Sequence, residues 1–279
     1  MSSVTKRITK IKQPRGGFIK PSDFEIIDMN DGEVLNEEEN IHGSLVGLAV
    51  DYLTRYNMGT KITDAFKIPL KGAERAELMG KSDFVKTAKR LIKKIKGIDD
   101  VSIVNACKLV TFDAWFRNPF GAAVAKSYDE IEPDKATIQN IHTLVKRSMT
   151  FFEKYGPITY DGFTFEPPNS DSSVIEQWIK NREGTYGGYT LAVDSGDGDF
   201  LTKDTLWDFK VSKSKPTSKN TLQILMYWIM GQHSGQDKYK EITKIGIFNP
   251  RLNLVYLLDI AKIPESVIKA VEKDVICYD

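Results

Sequence analysis

The sequence predicts a mixed α/β fold in which a strand-rich core is interrupted by a long helical insertion. Three observations carry this expectation. Apolar residues recur at helical spacing through most of the chain before about residue 155. After about residue 185 the rhythm changes to short alternating runs bounded by Gly, Asn and Pro. One helical segment, TLQILMYWIMG, stands between those runs. This order does not suit a doubly wound repeat of alternating strands and helices.

The elements follow in order. Residues 1–35 read as an arm, mobile at its start: Lys6, Arg7, Lys10, Lys12, Arg15 and Lys20 occur there with no acid among them. A strongly acidic stretch follows over 23–39. Asn36 with Glu39 three residues on has the form of a capping arrangement, and Ile41, Leu45, Leu48, Tyr52 and Tyr56 carry a helical rhythm beyond it. His42 reads as a helix-start residue. Residues 59–185 are mainly helical, with segments through Phe84, Ala88, Leu91 and Ile95, through 101–115, and through Ile138, Ile141, Val145 and Phe152. Strands are expected at 189–194 and 205–212, and a helix at about 219–231 with Ser218 as a cap. Two further strands, 244–248 and 254–258, are joined across Asn249, Pro250 and Arg251, and 263–279 forms a terminal helix or tail. Residues 36–58 and 186–262 would together make a discontinuous core.

Bulk properties exclude several classes. The 279 residues, 41% hydrophobic and 28% charged, have the composition of an ordinary globular protein. No apolar run approaches the length of about eighteen residues that a membrane span needs, so no membrane partner is expected. The first residues lack the apolar stretch of a secretory signal, which makes the cytoplasm the default compartment. Cys107 and Cys277 are the only cysteines, too few for a disulfide scaffold or a four-cysteine cluster. Gly80, Lys81 and Ser82 end like a phosphate loop, but Arg75 stands where its first glycine belongs, so no ATP motor is expected. The net charge of +1 hides basic clusters at Lys86, Lys89, Arg90, Lys93, Lys94 and Lys96, and at Lys213, Lys215 and Lys219.

The chemistry gathers in GDGDFLTKDTLWDFKVSK. In an extended strand Trp207, Phe209 and Val211 point one way, and Asp208 and Lys210 the other. Alone, this pair reads as the polar side of a solvated edge strand. Asp199 lies nine residues earlier, in a Gly-containing turn over 195–199, at a spacing that lets a hairpin bring the two carboxylates together. Two carboxylates can hold a divalent cation, and a lysine beside them can activate water or stabilise charge on a phosphate. Asp197 reads as a turn former. Gln223 and Tyr227, at i and i+4, share a helix face.

Asp199, then Asp208, Phe209 and Lys210, then Gln223 to Tyr227, resemble in order and spacing the RecB-like branch of the PD-(D/E)XK nuclease superfamily, with its QxxxY motif. The resemblance implies a restriction-endonuclease-like core, a mixed β-sheet flanked by helices, and a magnesium- or manganese-dependent nuclease. Its substrate would be single- or double-stranded DNA, cut as an exonuclease or an endonuclease in phage-related, defence or repair processing. Asp199 and Asp208 would bind metal, and Lys210 would orient water or stabilise the transition state. Gln223 and Tyr227 would meet the substrate strand, with Lys213, Lys215 and Lys219 at the rim. The family also places an acid or histidine on an upstream helix. Asp51 fits that role or forms a surface pair with Arg55, and Glu176 and Glu183 compete as a third acid. No iron–sulfur cluster is expected. The insertion could clamp substrate or receive a protein partner. The alternative is a nucleic-acid-binding module that keeps this fold with little or no catalysis.

Overall fold

The structure is a computed structural model, described for residues 2–165 and 187–278. In chain order the elements are α1 (Val4–Lys10), β1 (Glu25–Asp28), α2 (Gly43–Asn57), α3 (Ile62–Ala65), α4 (Lys67–Leu78), α5 (Phe84–Ile92) and α6 (Asp100–Leu109). Then come α7 (Asp113–Arg117), α8 (Pro119–Ala122), α9 (Lys135–Tyr155), β2 (Tyr160–Phe165), β3 (Gly196–Leu201) and β4 (Thr205–Phe209). The chain closes with α10 (Ser218–His233), β5 (Lys244–Asn249), β6 (Leu254–Asp259) and α11 (Glu265–Ala270). It divides into two compact units. One comprises Met1–Met29, Tyr155–Lys210 and Ser214–Asp279; the other, Asn30–Lys154 and Val211–Lys213. No helix among the described residues is long and apolar enough to cross a membrane.

The first unit is mixed α/β. Its described strands form a six-stranded sheet in the order β1-β6-β5-β4-β3-β2. Strands β2, β3 and β4 run antiparallel in sequence, whereas β4 and β5 are parallel. A parallel pair needs a crossover, and α10 supplies it. Leu201, Leu206, Ile245 and Ile247 pack into one apolar cluster with Leu222, Ile224, Leu225 and Met226 of α10. Next to Leu206, Trp207 follows the alternation into other company: its ring stacks with Phe200 and meets Tyr155 edge-on. Gly246 makes room for that ring, since a Cβ there would lie 2.2 Å from it.

Several expectations change in this unit. The basic start is no mobile arm: Val4 and Ile8 of α1 are buried in the core, and Val4 N–H donates to the Ser195 carbonyl at 2.8 Å. Arg7 donates from Nε to the Val275 carbonyl at 2.7 Å, satisfying a carbonyl at the C-terminal end of the chain. Residues 25–28, read as part of the arm, pair with β6 as an edge strand. Residues 160–165, read as insertion, form β2 at the other edge. Residues 189–194 form a turn, not a strand, because Thr190 N–H reaches the Val193 carbonyl and its Oγ1 accepts from Ala192 and Val193 N–H. The cap of α10 is Thr217 with Asn220, one residue before Ser218.

The second unit is helical among its described residues. α2 buries Val46, Ala49, Val50 and Leu53 on one side, and Tyr52 donates to the buried carboxylate of Asp113, which Arg117 also engages at 2.6 Å. His42 caps α2, accepting from Ser44 N–H. Asn36 and Glu39, expected to cap it, instead meet Asn140 of α9, whose amide donates to the Asn36 carbonyl and to Glu39 Oε1. A carboxamide buried on α9 has to satisfy both its donors, and this acidic segment satisfies them. Arg147, buried on the same helix, holds Asp31 through two contacts of 2.8 Å.

Candidate metal and phosphate site

The β3–β4 register pairs Phe200 with Trp207 and Leu201 with Leu206. Continued by one residue, it sets Asp199 opposite Asp208, where side chains of antiparallel neighbours share a face. The ladder stops short of that position, and Asp199 Oδ2 instead accepts from Phe209 N–H at 2.5 Å. Asp199 therefore lies on a strand, not in a turn. Asp197 is also a strand residue, exposed on β3. The glycines at 196 and 198 serve packing: a Cβ at Gly198 would lie 1.7 Å from the Phe163 ring.

Strand β4 is interior to the sheet, between β3 and β5, so the edge-strand reading of Asp208 does not hold. Asp208 is only 3% exposed. By alternation it lies on the Leu206 side, the face that α10 covers. Lys210 Nζ reaches Asp208 Oδ1 at 3.0 Å and keeps part of its side chain in solvent. The other carboxylate oxygen, Asp208 Oδ2, is buried with no hydrogen-bond partner among the described residues. Leaving a buried charged acceptor unmet is costly, so this oxygen is the feature of the site most in need of a ligand.

The electrostatics agree. Burial works against the Lys210 ammonium, but Asp208 and then Asp199 outweigh it and hold its pKa above the ordinary lysine value. Lys210 is therefore charged throughout the neutral range. From α10, Gln223 Nε2 donates to the Tyr227 hydroxyl at 3.0 Å. Burial, followed by the negative charge of Asp208, pushes the Tyr227 phenol far above its usual value, and Asp199 and Asp197 act in the same direction. Tyr227 is thus a neutral hydrogen-bonding group at working pH, not a base.

Asp199, Asp208, Lys210, Gln223 and Tyr227 come together in this way, all within the first unit. Lys215 and Lys219 are exposed near the start of α10 in the same unit. Two other candidates belong to the helical unit. Asp51 Oδ1 is bound by Arg55 Nε at 2.8 Å, the surface-pair alternative. Lys213 is committed to the Glu37 carbonyl at 2.7 Å. Glu176 and Glu183 lie outside the described residues. Among the described residues no three His, Cys, Asp or Glu side chains gather at one point.

The residues present fit a divalent cation of magnesium type, which commonly takes one or two protein carboxylates and keeps its waters. Sequence reasoning named this set but missed what shapes it. Gly198 and Gly246 admit the aromatic rings that pack around β3 and β4; in the sequence Gly246 stood inside an expected strand, but Gly198 read as part of a turn. Comparison with protein-family models, curated proteins and solved structures finds no match to this chain.

Proposed function

We propose that the chain is a magnesium- or manganese-dependent nuclease acting on DNA, built on a restriction-endonuclease-like core of the PD-(D/E)XK type. The observation that carries this reading is the buried Asp208 Oδ2, unpartnered among the described residues, beside Lys210, with Asp199 across from it on the neighbouring strand. The β4–α10–β5 crossover supports the same reading. It sets the Gln223–Tyr227 pair near the carboxyl end of β4, where open α/β sheets commonly bind ligands.

Asp199 and Asp208 would hold the cation, and the proposal rests on these two without Asp51. When bound, the cation supplies Lewis acidity toward a phosphate oxygen and a more acidic water. Lys210 presents a permanent ammonium that stabilises negative charge building on the phosphoryl oxygens. Gln223 keeps an acceptor oxygen, and Tyr227 a neutral hydroxyl, for the sugar–phosphate strand. Hydrolysis forms one P–O bond from water and breaks one to a sugar oxygen, which takes up a proton.

The test is to incubate the purified chain with linear, nicked and single-stranded DNA and with RNA, in Mg²⁺, Mn²⁺ or EDTA. Asp208→Ala and Lys210→Ala are assayed beside it. Metal-dependent cleavage that both variants lose is the expected result. Cleavage absent on every substrate, or undiminished in both variants, overturns the reading. Binding without cleavage favours a non-catalytic module.

A further inference from the structure

We propose that the exposed face of α5 is a docking surface for the phosphate backbone of a nucleic-acid duplex, distinct from the carboxylate site. The choice of a nucleic acid over other polyanions rests on the proposed function; the surface itself rests on the helix. α5 buries Thr87, Ala88, Leu91 and Ile92 in the helical unit. Lys86, Lys89, Arg90 and Lys93, at i, i+3, i+4 and i+7, form one stripe on the opposite side, and all four are exposed. Lys94 and Lys96 extend the exposed positive charge beyond the last turn. No acid occurs between Phe84 and Ile98, and among the described residues no carboxylate pairs with any of the four.

Solvated helix faces usually interleave charge of both signs. One or two cations in the last turn would suffice to complement the helix dipole, and this face carries more than that use requires. Like charges at i and i+4 repel, so such a stripe is unfavourable unless an anion answers it. Seven residues of helix rise about 10 Å, and a duplex carries one phosphate charge for about every 1.7 Å of its axis, so one helix face can meet several phosphates. A membrane surface suits the face less well, because an interfacial helix must insert its apolar side and that of α5 is buried. A single strand suits it less well too. The stripe presents no aromatic ring for base stacking, and Phe84 is engaged with Phe112 and Trp115.

The experiment measures binding of the full chain to a labelled duplex of about 20 base pairs, in EDTA, over about 50 to 200 mM salt. It compares the chain with a variant carrying Lys86→Gln, Lys89→Gln, Arg90→Gln and Lys93→Gln. A control carries Lys203→Gln, Lys240→Gln, Lys262→Gln and Lys273→Gln. The α5 variant is expected to bind at least about tenfold more weakly at low salt. Its log–log salt slope should be shallower by about 0.9 for each phosphate it no longer neutralises, or about 3.6 for four. The control should keep most of the affinity, and thermal melting should show all three folded. Unchanged affinity and slope in the α5 variant, no duplex binding by the parent chain, or a deficit seen only with anionic vesicles each overturn the proposal. Cleavage of the same duplex in Mg²⁺ is scored separately. Duplex binding that depends on α5 without cleavage keeps the docking surface and removes the catalytic reading; cleavage with α5-independent binding does the reverse.

Discussion

Replacing Asp208 with asparagine should uncouple the fold from divalent cations at little cost to the metal-free protein. Asp208 Oδ2 is buried without a partner among the described residues, and an unmet buried acceptor carries about 1–3 kcal/mol of desolvation. Removing the charge relieves part of that. The same change breaks the 3.0 Å pairing with Lys210; the carboxylate is buried, but the lysine side chain is 30% exposed and can turn to water, so this loss is about 1–3 kcal/mol. The opposing effects leave the metal-free variant within about 1–2 kcal/mol of the parent. Metal changes the comparison. At a free concentration ten times Kd, linkage stabilises the parent by about 1.4 kcal/mol, a rise of about 3–6 °C in the melting midpoint for a chain of this size. Differential scanning calorimetry in EDTA, Mg²⁺ and Mn²⁺ reads this directly. The parent should shift and Asp208→Asn should not. No shift in the parent at any metal concentration, or an equal shift in both proteins, would refute the assignment of Asp208 as a ligand.

Three further expectations concern β5, the helical unit and Tyr227. Gly246→Ala puts a methyl 2.2 Å from the Trp207 ring, which is only 1% exposed, so chemical denaturation should show a loss of about 1–3 kcal/mol. In the helical unit, Asp31→Asn leaves the buried Arg147 guanidinium without its carboxylate. With Asp31 itself a third exposed, the cost at neutral pH is about 1–3 kcal/mol. Arg147 holds the Asp31 pKa below its ordinary value of 3.8, so this stabilisation is complete above that value and fades as pH falls through the lower folded value. Urea titrations from pH 7 down to 3 should show the deficit of the variant shrinking below about pH 4, whereas a constant deficit would contradict the pairing. Tyr227→Phe removes the acceptor of the Gln223 amide, and the rate of DNA cleavage should fall by about tenfold, the worth of one hydrogen bond of about 1.4 kcal/mol. A rate unchanged within twofold would remove Tyr227 from the substrate face.

The grouping of the candidate side chains was readable from sequence because strand alternation and helix periodicity are local rules. Asp208 and Lys210 follow from the first, and Gln223 with Tyr227 from the second. The same rules located α9, α10, β5 and β6 to within a few residues. What failed depended on partners distant in sequence. The basic start looked free because nothing local shows that Val4 and Ile8 enter a core or that Arg7 meets carbonyls some 268 residues away. β1 is a four-residue edge strand within an acidic stretch, and its pairing with β6 cannot be inferred from its own composition. Asp199 looked like a turn residue because Gly and Asp favour turns. The glycines are there instead because aromatic rings from β2 and α10 occupy the space of their missing side chains. Asn36 and Glu39 had the spacing of a cap, yet Asn140 on α9 took both.

The central claim is that the Asp199–Asp208–Lys210 set hydrolyses phosphodiester bonds. It is tested most directly by the single-turnover cleavage rate of a labelled DNA in Mg²⁺, comparing the parent chain with Asp208→Asn at equal fractions folded. The account predicts cleavage by the parent that EDTA abolishes, and a rate for the variant at least about a hundredfold lower, as for removal of a group worth about 2.7 kcal/mol in the transition state. Rates within a few-fold of each other, or no cleavage by the parent chain, would contradict it.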